Sequence, residues 1–212
     1  MEILFVSDYV CPYCLVAKEA LRLALEETGL EARITWQPFE LTRAPSPRVD
    51  TWSDPVRREH YKVLEAPCEA MELPMKLPPR VIPRPYSTLA FQGWHYACRH
   101  GKGDAYNDLV YRAYFLEEQD IGDLAVLTSL AVRAGLDGAD FALALERGDF
   151  AQAQKEAADY ARDVLKPRGV PAIYMDGEKV ELQTYTKEEM VRLLTDRAGQ
   201  APGFCCGEDG CG

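Results

Sequence analysis

The stretch Cys11-Pro12-Tyr13-Cys14 constrains the fold more than any other part of this chain. It follows an apolar segment, residues 2–6, that predicts a buried strand, and it precedes residues 15–28, which predict a helix that ends at Gly29. Cys11 therefore lies at a helix N-terminus, where free backbone N–H groups and the helix dipole favour a thiolate. Cys14 lies one turn further in, close enough to form a disulfide with Cys11. This arrangement predicts a thiol–disulfide exchange site.

Two other interpretations of the cysteine pair stay open: it could be half of a zinc site or an inert structural pair. A zinc site needs further ligands, and the candidates are Cys68, Cys98 and the terminal cluster of Cys205, Cys206 and Cys211. None of these forms another C-x-x-C. The place of the pair between a strand and a helix favours redox chemistry, so we expect no metal site.

Composition and charge exclude several classes of protein. The chain has 212 residues and a formal net charge of −10, which argues against nucleic-acid binding because phosphate recognition needs a basic surface. No segment reaches the ~18–20 apolar residues that span a bilayer, and the first residues lack the basic region of a signal peptide. We therefore expect a cytoplasmic protein without a membrane partner. Seven cysteines is an odd number, so a structural disulfide framework is not expected in a reducing compartment.

The outer parts of the chain carry strand signals. Residues 32–39 alternate as a second strand, and Asp176-Gly177 separates two β-runs, 172–175 and 179–182, as in a hairpin. Thr186 to Glu189 form a capping box that opens a last helix.

The middle of the chain shows no strand signal. Its periodic segments predict helices at 56–66, 88–100, 104–119, 124–134, 137–147 and 149–166, the first ended by Pro67 and the second capped by Ser87. The fold class predicted is α/β, a thioredoxin-like fold with an inserted all-helical domain. We assign 1–42 and 167–198 to the thioredoxin-like domain, 43–166 to the helical insertion and 199–212 to a flexible tail.

Three stretches carry a family resemblance, Ser7 to Cys14, Trp36 to Leu41, and Ala113 to Phe115 together with Asp120 to Asp123. With the C-x-x-C at the first strand–helix junction and Val170-Pro171 before the late hairpin, the chain resembles the DsbA-like thioredoxin superfamily. More narrowly, it is similar to the FrnE group of cytosolic oxidoreductases. The resemblance covers about residues 1–198.

This resemblance implies roles for particular residues. Cys11 would be the attacking thiol, Cys14 the resolving thiol, and Pro171 a cis-proline facing the disulfide, with Val170 pairing its backbone to an extended substrate. The chain departs from the group at Pro12-Tyr13, where Pro-Trp is frequent and periplasmic DsbA has Pro-His. It also has Glu181-Leu182-Gln183 where a small-residue stretch is expected.

Some members of the group carry a second C-x4-C at the C-terminus, and Cys206 and Cys211 match that spacing. The resemblance thus implies a second redox pair. A metal-binding cluster that includes Cys205, and a thiol-rich tail without a function, are the alternatives.

The function expected is a thiol–disulfide oxidoreductase or isomerase acting on protein disulfides. We expect no resident cofactor, with glutathione as a candidate redox partner beside thiol- or disulfide-containing proteins, and a monomer or a homodimer. Two alternatives are a glutathione-dependent isomerase or transferase of the 2-hydroxychromene-2-carboxylate isomerase type and a non-catalytic chaperone-like module. Related isomerases use a serine at the position of Cys11, so the cysteine pair argues against that chemistry.

Several other side chains have two interpretations. Asp8 is either a buried base that modulates the thiols or a polar loop residue. Cys68 and Cys98 are expected to be small buried hydrophobes rather than reactive groups, and Arg57-Arg58 is expected to be solvated surface.

Overall fold

A computed structural model describes residues 1–200 of the chain. Four strands form one mixed sheet in the order β2-β1-β3-β4, in which β1 is parallel to β2 and antiparallel to β3, and β3 is antiparallel to β4. The strands are β1 (Glu2–Ser7), β2 (Arg33–Pro38), β3 (Ala172–Met175) and β4 (Glu178–Val180). The tail residues 201–212, with Cys206 and Cys211, lie outside the described residues.

Nine α-helices accompany the sheet in the described chain. They are α1 (Pro12–Thr28), α2 (Pro55–Tyr61), α3 (Glu65–Ala70), α4 (Thr88–Arg99), α5 (Gly103–Phe115), α6 (Leu124–Arg133), α7 (Gly138–Glu146), α8 (Ala151–Tyr160) and α9 (Lys187–Gln200). A 3₁₀ turn (Lys62–Leu64) follows α2, and a π turn (Ala161–Leu165) follows α8. Helices α2 to α8 all lie between β2 and β3, so the element order is that of a thioredoxin-like fold with a helical insertion.

The alternation of side chains along β1 divides the core between the two faces of the sheet. Ile3 and Phe5 are buried with residues of α1, α3 and α9 in one cluster. Val6 is buried on the other face in a small cluster with Ala161 of the π turn. A third and larger cluster joins the helical insertion to the start of α1, and both Cys11 and Cys14 belong to it. The cysteine pair therefore lies where the two parts of the fold meet.

The structure corrects four of the predicted helices. Pro67 does not end a helix but lies in the first turn of α3, where a missing N–H costs nothing. Helix α5 ends at Phe115 rather than at 119, because Glu118 adopts a left-handed conformation with φ of 53°. The predicted helix 149–166 is α8 followed by the π turn. Ser87 does precede α4, but its side chain makes no capping hydrogen bond.

The hairpin turn lies at Asp176-Gly177 as predicted, with φ of 49° and 85°. Strand β4 is shorter than predicted because the Glu189 carboxylate draws the following chain away from the sheet. It accepts hydrogen bonds from the backbone N–H groups of Gln183, Thr184 and Tyr185, at 2.7 to 2.9 Å. The Glu189 N–H in turn donates to the Thr186 hydroxyl at 3.2 Å, which is one half of the predicted capping box; the carboxylate binds the three preceding N–H groups instead of that of Thr186.

Candidate active site

Cys11 is the N-cap residue of α1, and Pro12 occupies the first helical position. The backbone of Cys11 is extended, with φ of −93° and ψ of 114°, and the Cys11 side chain makes no capping hydrogen bond. The thiol instead points away from the helix and donates to the Val170 carbonyl oxygen at 3.3 Å. The residue is 4% exposed. The sulfur of this N-cap residue therefore faces the segment before β3, and it makes no hydrogen bond to the first-turn amides of α1.

Cys14 is fully buried one turn into α1. Burial raises the pKa of its thiol well above the ordinary value, and the neighbouring Cys11 adds to this rise. The Cys14 N–H donates to the Cys11 carbonyl at 3.1 Å, which fixes the backbone between the two sulfurs. Both are free thiols in the structure. Cys11, at 4% exposure, is thus the more accessible thiol of the pair, and Cys14 is the fully buried and protonated one.

The segment before β3 closes the other side of the site. The Val170–Pro171 peptide bond is cis, and the Val170 carbonyl is the group that accepts from Cys11. Three further cis peptide bonds precede prolines 45, 78 and 83. The structure therefore brings Val170 and Pro171 to the cysteine pair, from a position 159 residues away in sequence. Their role in substrate binding stays a prediction.

Asp8 is a buried acid at the base of the site, in the loop that joins β1 to α1. Its side chain is inaccessible to solvent, and burial raises its pKa from 3.8 to about 6. Two backbone N–H groups oppose this rise by donating to the carboxylate, Leu41 at 2.7 Å and Val10 at 3.3 Å. The Asp8 carbonyl accepts from the Cys11 N–H at 3.1 Å. The charge on Asp8 is close enough to contribute to the raised pKa of Cys14.

Tyr13, between the two cysteines, is held by aromatic neighbours from two distant segments. Its ring centroid lies 5.2 Å from that of Tyr185 and 6.5 Å from that of Tyr61. Its hydroxyl donates to the His60 carbonyl at 2.9 Å. Sequence reasoning did not find Tyr61 or Tyr185, because neither belongs to a motif and only the tertiary fold brings them together.

Comparison with known proteins identifies the family. Residues 2–191 match the model of the DSBA-like thioredoxin domain. The chain belongs to this family. It is also 37% identical over 191 residues to the uncharacterised protein YwbO of Bacillus subtilis (strain 168), covering 90% of this chain and 94% of that protein.

Solved structures with the DsbA-like fold are similar to this chain over almost its whole length. A probable DsbA oxidoreductase from Streptomyces coelicolor has a TM-score of 0.77 and 25% identity, covering 100% of this chain and 98% of that one. A 2-hydroxychromene-2-carboxylate isomerase has a TM-score of 0.74 and 18% identity, with coverage of 94% and 96%. The cytosolic disulfide reductase DsbM from Pseudomonas aeruginosa has a TM-score of 0.69 and 19% identity, with coverage of 95% and 100%. At such identities the last two show the fold alone.

The other described cysteines of this DsbA-like chain lie outside the site. Cys68 is buried, as expected. Cys98, in the last turn of α4, is exposed, contrary to expectation. Within residues 1–200, no group of three or more His, Cys, Asp and Glu side chains could hold a metal ion. No helix in the same range is long and apolar enough to cross a membrane.

Proposed function

We propose that this DsbA-like protein is a thiol–disulfide oxidoreductase that acts through Cys11 and Cys14. The observation that supports this most directly is the position of the Cys11 sulfur, at the N-terminus of α1 and 3.3 Å from the Val170 carbonyl. An extended substrate that paired with the backbone at Val170 would present its own sulfur to Cys11. We further propose that the protein is an oxidoreductase of the FrnE type.

In the proposed reaction the Cys11 thiolate attacks one sulfur of a substrate disulfide. A Cys11–substrate disulfide forms, and the other substrate sulfur leaves as a thiolate. Cys14 then loses its proton and attacks the Cys11 sulfur, which releases the second substrate thiolate. The substrate has gained two electrons and the protein now carries a Cys11–Cys14 disulfide. Glutathione and dithiol proteins are the proposed partners that reduce it again, and the reverse sequence oxidises a substrate.

Trapping of the mixed disulfide tests this mechanism. In the variant Cys14→Ser the resolving step is absent, so a disulfide substrate should stay attached to Cys11 and be found there by mass spectrometry. Cys98→Ser is the matched control, since Cys98 is an exposed thiol outside the site, and it should resolve the intermediate normally. Adducts distributed equally over Cys11 and Cys98 would contradict the proposal.

Insulin reduction by dithiothreitol separates the remaining alternatives. An oxidoreductase should accelerate it in a manner that requires Cys11, whereas a chaperone-like module would give no such rate. A glutathione-dependent isomerase would instead keep its activity in Cys14→Ser.

We propose a cytoplasmic location, where thiols are kept reduced, and fractionation of cells would test it.

A further inference from the structure

Four arginines lie on two segments near the candidate site in a protein whose net charge is −10. We call them the arginine cluster, and they are Arg57, Arg58, Arg80 and Arg84. Two of them lie on α2, and two on the irregular segment between α3 and α4. Helix α2 contacts Tyr13 through its last residues, His60 and Tyr61. Local positive charge favours anionic partners at that place, whereas the net negative charge of the protein disfavours them elsewhere.

Arg84 is the unusual member of the cluster because it is buried without a direct ion pair, although its charge acts on the buried Asp8 carboxylate from a greater distance. The residue is 5% exposed, and no Asp or Glu oxygen of residues 1–200 lies within 4.0 Å of its guanidinium nitrogens. One terminal nitrogen donates to the Thr42 hydroxyl at 2.8 Å, while the buried Nε has no hydrogen-bond partner in the described chain. A buried charge is costly unless it is paired. Arg84 thus has unused capacity for an anion.

The exposed members of the cluster also lack acidic partners. Arg58 and Arg80 lie against the ring of Trp52, at 5.6 and 4.9 Å from its centroid, and neither makes an ion pair with residues 1–200. Arg57 is the exception, since its Nε lies 3.1 Å from an Asp54 oxygen. The pair Arg57-Arg58 is therefore not simply solvated surface, because Trp52 and Asp54 hold the two side chains in place.

Tyr61 connects the arginine cluster to the attacking sulfur. Burial raises the pKa of Tyr61, the charges of Arg84 and Arg57 oppose this rise, and Cys11 adds to it. Arg57 also lies one helical turn before Tyr61 on α2. Arg84 donates to Thr42, which follows Leu41, and the Leu41 N–H binds the buried Asp8 carboxylate of the site. The Tyr61 ring also packs against Tyr13, which is part of the C-x-x-C motif.

We propose that the arginine cluster, with Arg84 at its centre, binds a carboxylate of the disulfide substrate next to the sulfur that Cys11 attacks. This inference rests on the proposed function and adds the substrate class to it, a disulfide that carries a negative charge near the bond. An arginine can donate two parallel hydrogen bonds to a carboxylate, which orients as well as attracts the substrate. An acidic peptide and glutathione disulfide both offer this group.

Three small disulfides that differ in charge test the proposal. They are 3,3′-dithiodipropionate, which is anionic, bis(2-hydroxyethyl) disulfide, which is neutral, and cystamine, which is cationic. The second-order rate of mixed-disulfide formation at Cys11 is measured by mass spectrometry in the Cys14→Ser background, with and without Arg84→Met. For each disulfide, the ratio of its rates with and without Arg84→Met cancels the intrinsic reactivity of that disulfide.

We expect Arg84→Met to slow the anionic disulfide about tenfold, to leave the neutral one within about twofold, and to leave or raise the rate of the cationic one. Arg33→Met is the matched control, since Arg33 starts β2 at the opposite end of the sheet, and it should change none of the three. The exposed double variant Arg58→Met with Arg80→Met keeps the buried core intact. It should slow the anionic disulfide about threefold if Arg84→Met fails to fold.

Equal effects on all three disulfides, or no charge preference in any variant, would overturn the carboxylate site while leaving the oxidoreductase intact. No adduct at Cys11 with the neutral disulfide would instead overturn the proposed function itself. Two further substrates distinguish the source of the carboxylate: glutathione disulfide, and a pair of peptide disulfides with Glu or Gln beside the cysteine. The substrate whose rate depends on Arg84 identifies the source.

Discussion

The substitution Asp8→Asn should remove a specific part of the pH dependence of stability. Asp8 is fully buried, and its pKa in the folded protein is about 6 instead of 3.8. The folded state therefore holds the proton to a higher pH than the unfolded chain does. Its contribution to stability is complete below about pH 3.8, is lost as the pH rises toward 6, and stays lost above that.

The size of this effect follows from the shift in pKa. A rise from 3.8 to about 6 corresponds to about 3 kcal/mol, since each pKa unit is worth about 1.4 kcal/mol. Most of it falls between pH 4 and 6. Asparagine cannot ionise, so the variant lacks this term at every pH. It also has one carboxamide oxygen where Asp8 accepts from both Leu41 and Val10, which costs about 1–3 kcal/mol independently of pH.

Urea unfolding of the reduced wild type and of Asp8→Asn at pH 4, 5, 6 and 7 measures the effect. The free energy of unfolding of the wild type, minus that of the variant, should fall by about 2–3 kcal/mol from pH 4 to pH 7. The difference cancels the titration of all other groups. A difference that stays constant within about 0.5 kcal/mol would refute a buried Asp8 with a raised pKa. The variant should also lower the pKa of Cys14, because a neighbouring negative charge is removed.

Three further predictions concern the potential, the tail and the insertion. Tyr13→His places a cation beside Cys11 and should make the pair more oxidising, by about 30 mV for each tenfold stabilisation of the thiolate; an unchanged potential in a glutathione titration would contradict this. Replacing both Cys206 and Cys211 by serine should slow turnover of protein disulfides, and turnover equal to that of wild type would remove the second redox pair. Asp123→Ala should destabilise the protein by about 1 kcal/mol in urea unfolding, because its carboxylate accepts the Ala125 N–H at 2.7 Å as the N-cap of α6; a loss below about 0.3 kcal/mol would contradict the capping role.

Local signals predicted most of the fold. The apolar run of β1, the C-x-x-C and Gly29 lie within one contiguous stretch, and each acts through its immediate neighbours. The hairpin followed from Asp176-Gly177, whose left-handed conformations suit the turn. The length of β4 was predicted wrongly because a group further along the chain decides it: Glu189 binds the chain beyond the strand.

The candidate site could be predicted in its centre but not in its surroundings. The roles of Cys11 and Cys14 could be proposed from the sequence because four consecutive residues contain both sulfurs and the start of the helix. Arg84 gave no signal, since nothing in a segment rich in proline indicates that one arginine will be buried without a direct ion pair. The burial of Asp8 was one of two interpretations that the sequence left open, because it depends on packing by the helical insertion, as in the contact with Tyr111.

A redox titration of the wild-type protein against glutathione tests the central claim most directly, with Cys11 and Cys14 followed by thiol alkylation and mass spectrometry. We predict a single two-electron couple between these two residues, with a potential below the about −120 mV of periplasmic DsbA, because Tyr13 offers no cation to the thiolate. Cys11 and Cys14 that both remain thiols across the whole glutathione range would contradict the oxidoreductase. A potential close to that of DsbA would contradict only the role assigned to Tyr13.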